Sequence, residues 1–81
     1  MPICYVLISV APGKERKVYN KISKISDIIE CHIVSGEYDI IAKLKVDDIE
    51  KLPNIVTTKI RSIEGVKDTR TLNGLELKYW G

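Results

Sequence analysis

Two groups of residues in this 81-residue sequence carry side chains able to hold a small polar molecule. The first is the turn Val34-Ser35-Gly36-Glu37-Tyr38-Asp39, a glycine with a carboxylate just beyond it, set between two β-branched runs. The second is Gly65-Val66 leading into Thr69-Arg70-Thr71. A carboxylate accepts hydrogen bonds from an ammonium group, and such charge-assisted bonds are the strong ones. Thr69 and Thr71, two residues apart, share one face of any strand they occupy. Together these groups suit holding a small zwitterion better than transforming one. The only histidine is His32, and no His/Asp/Cys constellation for acid–base work can be assembled around it. No catalytic residue, metal ligand or cofactor is therefore expected.

Each of these residues also has a structural use. Gly36 serves a hairpin whether or not a ligand approaches, because glycine accepts positive φ. Asp39 can cap its own turn, and Thr69 and Thr71 are ordinary strand residues. His32 stands alone on an alternating strand, where surface or interface packing is its simplest role. Trp80 is expected to anchor the C-terminal tail on a subunit.

The elements that position these residues follow from apolar periodicity. Ile3–Val10 reads as a strand with two apolar faces, Cys4, Val6, Ile8 and Val10 against Ile3, Tyr5 and Leu7, so it must be central. Ala11-Pro12-Gly13 breaks it, and a helix over about 13–24 buries Val18, Ile22 and Ile25 at helical spacing. A second strand spans Ile28–Ser35, with Ile29, Cys31 and Ile33 alternating against Glu30 and His32; a third spans about Tyr38–Val46. Asp47 with Glu50 has the spacing of a capping box. Pro53 fits the start of the main helical segment after a preliminary turn at 48–52, with Val56, Ile60 and Ile63 as its buried stripe and Gly65 closing it. Val66–Asn73 is the fourth strand. Beyond Gly74, Leu75, Leu77 and Tyr79 alternate with Glu76, Lys78 and Trp80 as a short extended tail.

The resulting βαββαβ order is α+β and ferredoxin-like: a four-stranded antiparallel sheet in the spatial order 4-1-3-2, with both helices on one face. The domain is read as residues 1–74, with 75–81 as the tail. The other face has nothing from its own chain to cover it, yet Ile3, Tyr5 and Leu7 point there. An exposed apolar patch of that size is uncommon on a soluble monomer, and a second copy packed face to face is the simplest remedy.

Bulk properties exclude several classes. A chain of 81 residues buries only roughly 60% of its unfolded surface, so its stability is marginal unless a partner covers more. The formal charge is +2; Lys14, Arg16, Lys17, Lys21 and Lys24 gather on one predicted helix, but few aromatics accompany them, and a solvated face is the simpler reading. No apolar stretch approaches membrane-spanning length and no signal peptide is legible, so the chain is expected to be cytoplasmic. Cys4 and Cys31 lack CxxC spacing and are expected to be reduced and packed.

The strings Tyr5-Val6-Leu7-Ile8, Val34-Ser35-Gly36-Glu37-Tyr38-Asp39 and Ile63-Glu64-Gly65-Val66 with Thr69 and Thr71 resemble the effector domain of Lrp/AsnC transcriptional regulators, the RAM domain, over about residues 3–74. Full-length members carry an N-terminal helix-turn-helix domain; this sequence starts directly on its first strand, and so looks like a stand-alone RAM protein without direct DNA binding. The resemblance implies dimers through the sheet face, rings of eight or ten chains, and an amino-acid effector lodged between dimers. Co-assembly with full-length regulators through the same dimer surfaces is a further role considered for such a module. On the matching positions it assigns Gly36 to backbone approach, Asp39 to the α-ammonium, Tyr38 to a pocket wall or neighbouring subunit, and Thr69 and Thr71 to hydroxyls lining the cavity. The expected function is a non-catalytic amino-acid-binding and oligomerisation module. The alternatives are a small dimeric ferredoxin-like enzyme of monooxygenase type and an ACT-like regulatory domain. An RRM-type RNA binder is disfavoured because Tyr5 is the only aromatic on the central strand.

Overall fold

Ile3–Val10 forms the central strand β1 in a computed structural model that describes residues 3–74. The chain continues through helix α1 (Glu15–Ile22), strands β2 (Ile28–Ile33) and β3 (Ile40–Lys45), a 3₁₀ turn (Ile49–Lys51), helix α2 (Leu52–Ile55), a π-helical turn (Val56–Ile60) and strand β4 (Val66–Asn73). The sheet is antiparallel in the order β2-β3-β1-β4, as the two apolar faces of β1 require. The tail with Leu75, Leu77, Tyr79 and Trp80 lies outside the described residues.

One face of the sheet and both helical segments enclose a single core. Cys4, Val6, Ile8 and Val10 of β1, Ile40, Ala42 and Leu44 of β3, and Val46 just beyond it meet Val18 and Ile22 of α1 and Leu52, Val56 and Ile60 of the second helical segment. Alternation along β1 is complete: every second residue is buried, and the intervening Ile3, Tyr5, Leu7 and Ser9 are half-buried on the open face. Cross-strand partners project to the same face. Val6 pairs with Thr71, Ile8 with Thr69 and Cys4 with Asn73, so these three β4 residues point toward the helices. Leu72 and Arg70, opposite Tyr5 and Leu7, belong to the open face.

Three local details differ from the periodicity reading. In β2 the register shifts between Ile28 and Glu30, which takes Ile29 out of the ladder and leaves it 47% exposed. The cap of the second helical segment is Asp48 rather than Asp47: its Oδ1 accepts the Glu50 N–H at 3.0 Å. The third is the helix end. Pro53 does sit in the first turn of α2, but the Arg61 N–H bonds the Val56 carbonyl at 2.8 Å, a five-residue closure that ends the helix at Ile60. Gly65 therefore stands beyond the helix, in the turn that enters β4.

Gly65 still has a demanding position. Its φ is +104°, and an added Cβ would lie 3.0 Å from Val18 Cγ2 on α1 and 3.2 Å from Cβ of Lys14, the residue before that helix. Its carbonyl accepts the Ala11 N–H at 2.8 Å, tying the end of β1 to the start of β4. Gly65→Ala combines backbone strain with a clash and is expected to cost about 1–3 kcal/mol, read as a lower Tm in a calorimetric scan.

Candidate functional site

The loop between β2 and β3 is organised by Asp39. Its carbonyl accepts the Val34 N–H at 2.8 Å, its N–H donates to the Ile8 carbonyl at 2.9 Å, and its Oδ2 accepts the Val10 N–H at 2.8 Å. One half-buried residue thus closes the loop, joins it to the central strand and supplies a partner for the last N–H of β1. Among the described residues its second carboxylate oxygen, Oδ1, accepts no hydrogen bond. Gly36 has φ +128° with open space around its Cβ position, so backbone conformation rather than crowding selects glycine. Tyr38 is half-buried beside Asp39, and Glu37 is exposed.

Thr69 and Thr71 lie elsewhere. With Asn73 they form one wall of a groove of about 380 Å³ between β4 and the second helical segment, whose other wall is Ile49, Leu52, Pro53, Val56, Thr57 and Arg61. Ile8 is hydrogen-bonded to Asp39 on one side and paired with Thr69 on the other, so β1 separates the two groups. That separation is two strand spacings, roughly 9.5 Å. The structure therefore brings together Gly36, Tyr38 and Asp39, and separately Thr69 and Thr71. Asn73 continues the Thr69, Thr71 alternation and was legible as a third member. Arg61 was not, because its place depends on the π-helical turn.

The open face carries Ile3, Tyr5, Leu7, Ile41 and Leu72 as its apolar residues, Leu72 being 47% exposed. Beside them, Glu30 lies 3.3 Å from His32 Nε2 and 3.4 Å from Lys43 Nζ. The hydrogen bond from His32, and then Lys43, holds the Glu30 carboxyl below its ordinary value. His32 is on the surface, beside Glu30, Lys43, Tyr5 and Ile41.

Cys4 and Cys31 are free thiols on strands separated by β3. Burial pushes Cys31 up to about 11 and raises Cys4, against an opposing backbone hydrogen bond from Gly74. Protonated, desolvated thiols are packing groups rather than nucleophiles. Among the described residues no cluster of three or more His, Cys, Asp or Glu side chains is placed to hold a metal ion. No helix among them is long and apolar enough to cross a membrane.

A family model described as the Lrp/AsnC ligand binding domain matches residues 3–76. An HTH-type transcriptional regulator of Pyrococcus furiosus is 38% identical over 71 residues, covering 84% of this chain and 47% of the relative. The chain spans about half the length of the curated relatives it matches. The crystal structure of TTHA0845 from Thermus thermophilus superposes with a TM-score of 0.93 at 30% identity, covering 99% of this chain and 100% of that one. The Neisseria meningitidis transcriptional regulator NMB0573, solved as an L-Met complex, shares the fold with a TM-score of 0.83 at 18% identity, over 96% of this chain and 53% of that one.

Proposed function

This chain belongs to the Lrp/AsnC ligand-binding domain family, and we propose that it is a non-catalytic module that senses a small amino acid and assembles through its sheet face. The observation that carries the sensing half is Asp39. Two main-chain hydrogen bonds hold its backbone and the Val10 N–H holds Oδ2, while Oδ1 is left to accept from an α-ammonium at the lip of the Gly36 loop. A pre-positioned acceptor loses little freedom when a ligand arrives. The L-Met complex of the Neisseria regulator, a protein of the same fold, supports an amino acid as the ligand class.

Tyr38 and Gly36 complete the ammonium-facing half, and Thr69 and Thr71 supply hydroxyls from the groove. Because β1 stands between these halves within one chain, the two meet around one ligand only across a seam between subunits. Dimers joined by Ile3, Tyr5 and Leu7, associating further into rings, provide such seams, and full-length regulators built on the same domain are partners of the same geometry. A ligand that binds one assembly state better than another shifts the balance between them.

Thermal shift and calorimetry across the twenty standard amino acids test the sensing half. At least one is expected to raise the Tm, by the equivalent of about 2.7 kcal/mol when its concentration is 100 times Kd. If none binds, sensing fails and the assembly half stands to be judged by native mass spectrometry.

A further inference from the structure

The groove between β4 and the second helical segment differs in sign from the Asp39 loop. Its polar lining is Arg61, Thr57, Thr69, Thr71 and Asn73, and no acidic side chain is among its walls. Leu52 and Val56 form an aliphatic floor, and both are buried. Arg61 has no ion-pair partner among the described residues, whereas Lys43 and Lys59 each have one.

The π-helical turn explains why Arg61 is there. In a continuous α-helix of 3.6 residues per turn, five residues would leave Arg61 roughly 140° around the axis from Val56. Closure from the Arg61 N–H to the Val56 carbonyl instead brings Arg61 round toward Val56, on the groove that both line. Thr58 and Ser62 brace this distorted stretch by donating their hydroxyls to the carbonyls of Asn54 (2.7 Å) and Thr58 (2.6 Å). Here the turn places a guanidinium opposite two hydroxyls and an amide, over an aliphatic floor.

We propose that this groove is a binding site for a short aliphatic carboxylate, such as a branched 2-oxo acid, with Arg61 as its anchor. The guanidinium fork matches a carboxylate bidentately, Thr69, Thr71 and Asn73 offer further donors, and Leu52 and Val56 take the alkyl chain. No carboxylate lines the groove to balance an ammonium charge, so the site accepts the deaminated acid without requiring the amine. The proposal deepens the sensing reading, since it shares Thr69 and Thr71 with it, but it does not depend on Asp39.

The test is amide chemical-shift titration of the full chain with 4-methyl-2-oxopentanoate, 4-methylpentanoate and the matching amine, 3-methylbutylamine. Both acids are expected to shift Arg61, Thr69, Thr71 and Asn73, and the amine to leave them unmoved. Arg61→Gln is expected to weaken the acids about 10- to 100-fold, the loss of one charge-assisted contact. Arg61→Lys, a charge without the fork, is expected to fall between. Asp39→Asn is expected to leave acid binding unchanged, which separates this site from the amino-acid reading. Equal binding by Arg61→Gln and the natural chain, shifts induced by the amine, or no shifts from either acid at millimolar concentration would each overturn the proposal.

Discussion

Leu7→Glu is expected to give folded monomers in place of the proposed dimer. Leu7 lies on the open face of β1, between Tyr5 and Ser9 in the alternating row and opposite Ile41 on one neighbour and Arg70 on the other. In the proposed isologous dimer each substitution appears twice in the interface. A carboxylate brought there is desolvated in the interface with the cross-strand Arg70 as its nearest partner, and that desolvation is expected to weaken the dimer about a hundredfold. The fold itself should survive, because the core-facing row Cys4, Val6, Ile8 and Val10 is untouched. Multi-angle light scattering after size exclusion reads the mass and circular dichroism reads the fold. An unchanged dimer mass would show that the chain uses another surface.

Asp39 gives the second large effect, and two substitutions separate its roles. Asparagine keeps an oxygen for the Val10 N–H but removes the charge, whereas alanine removes both. Asp39→Asn is expected to retain the Tm to within a degree or so, and to bind the amino acid found in the panel about 10- to 100-fold more weakly. Asp39→Ala is expected to lose the affinity and, in addition, about 1 kcal/mol of stability, because the last N–H of β1 loses its acceptor. Affinity unchanged in the asparagine variant, measured by calorimetry, would make Asp39 a structural cap and nothing more.

The contrast between those variants shows where sequence reasoning reached and where it stopped. The two apolar rows of Ile3–Val10 required a central strand, and the strand order followed from that requirement. Gly36 was legible because a positive φ in a loop between strands has few other solutions. The exit of Ile29 from the β2 ladder was not legible, since alternation of residue types does not reveal a one-residue shift against a partner strand. Asp47 and Asp48 are chemically equivalent caps, and only the path of the chain decides which carboxylate reaches the Glu50 N–H. Arg61 was hidden for a related reason: a helix-period reading assumes 3.6 residues per turn, and one π closure moves every later side chain to a different azimuth. The separation of Thr69 from Asp39 likewise needed the pairing of Ile8 with both neighbours, which no single segment encodes.

The central position of β1 has a consequence for how the molecule is made. Its neighbours begin at Ile40 and Val66, so the first strand of the domain has one edge unsatisfied until the fourth follows it. The β2–β3 hairpin and α1 can form locally, but closure of the sheet waits for a contact spanning nearly the whole described chain, Cys4 with Asn73. Such long-range closure slows folding and leaves apolar strand surface open to other chains in the interval. Of the four strands, the first to be synthesised is thus the last to be fully paired, and the domain is most vulnerable to aggregation just before β4 emerges.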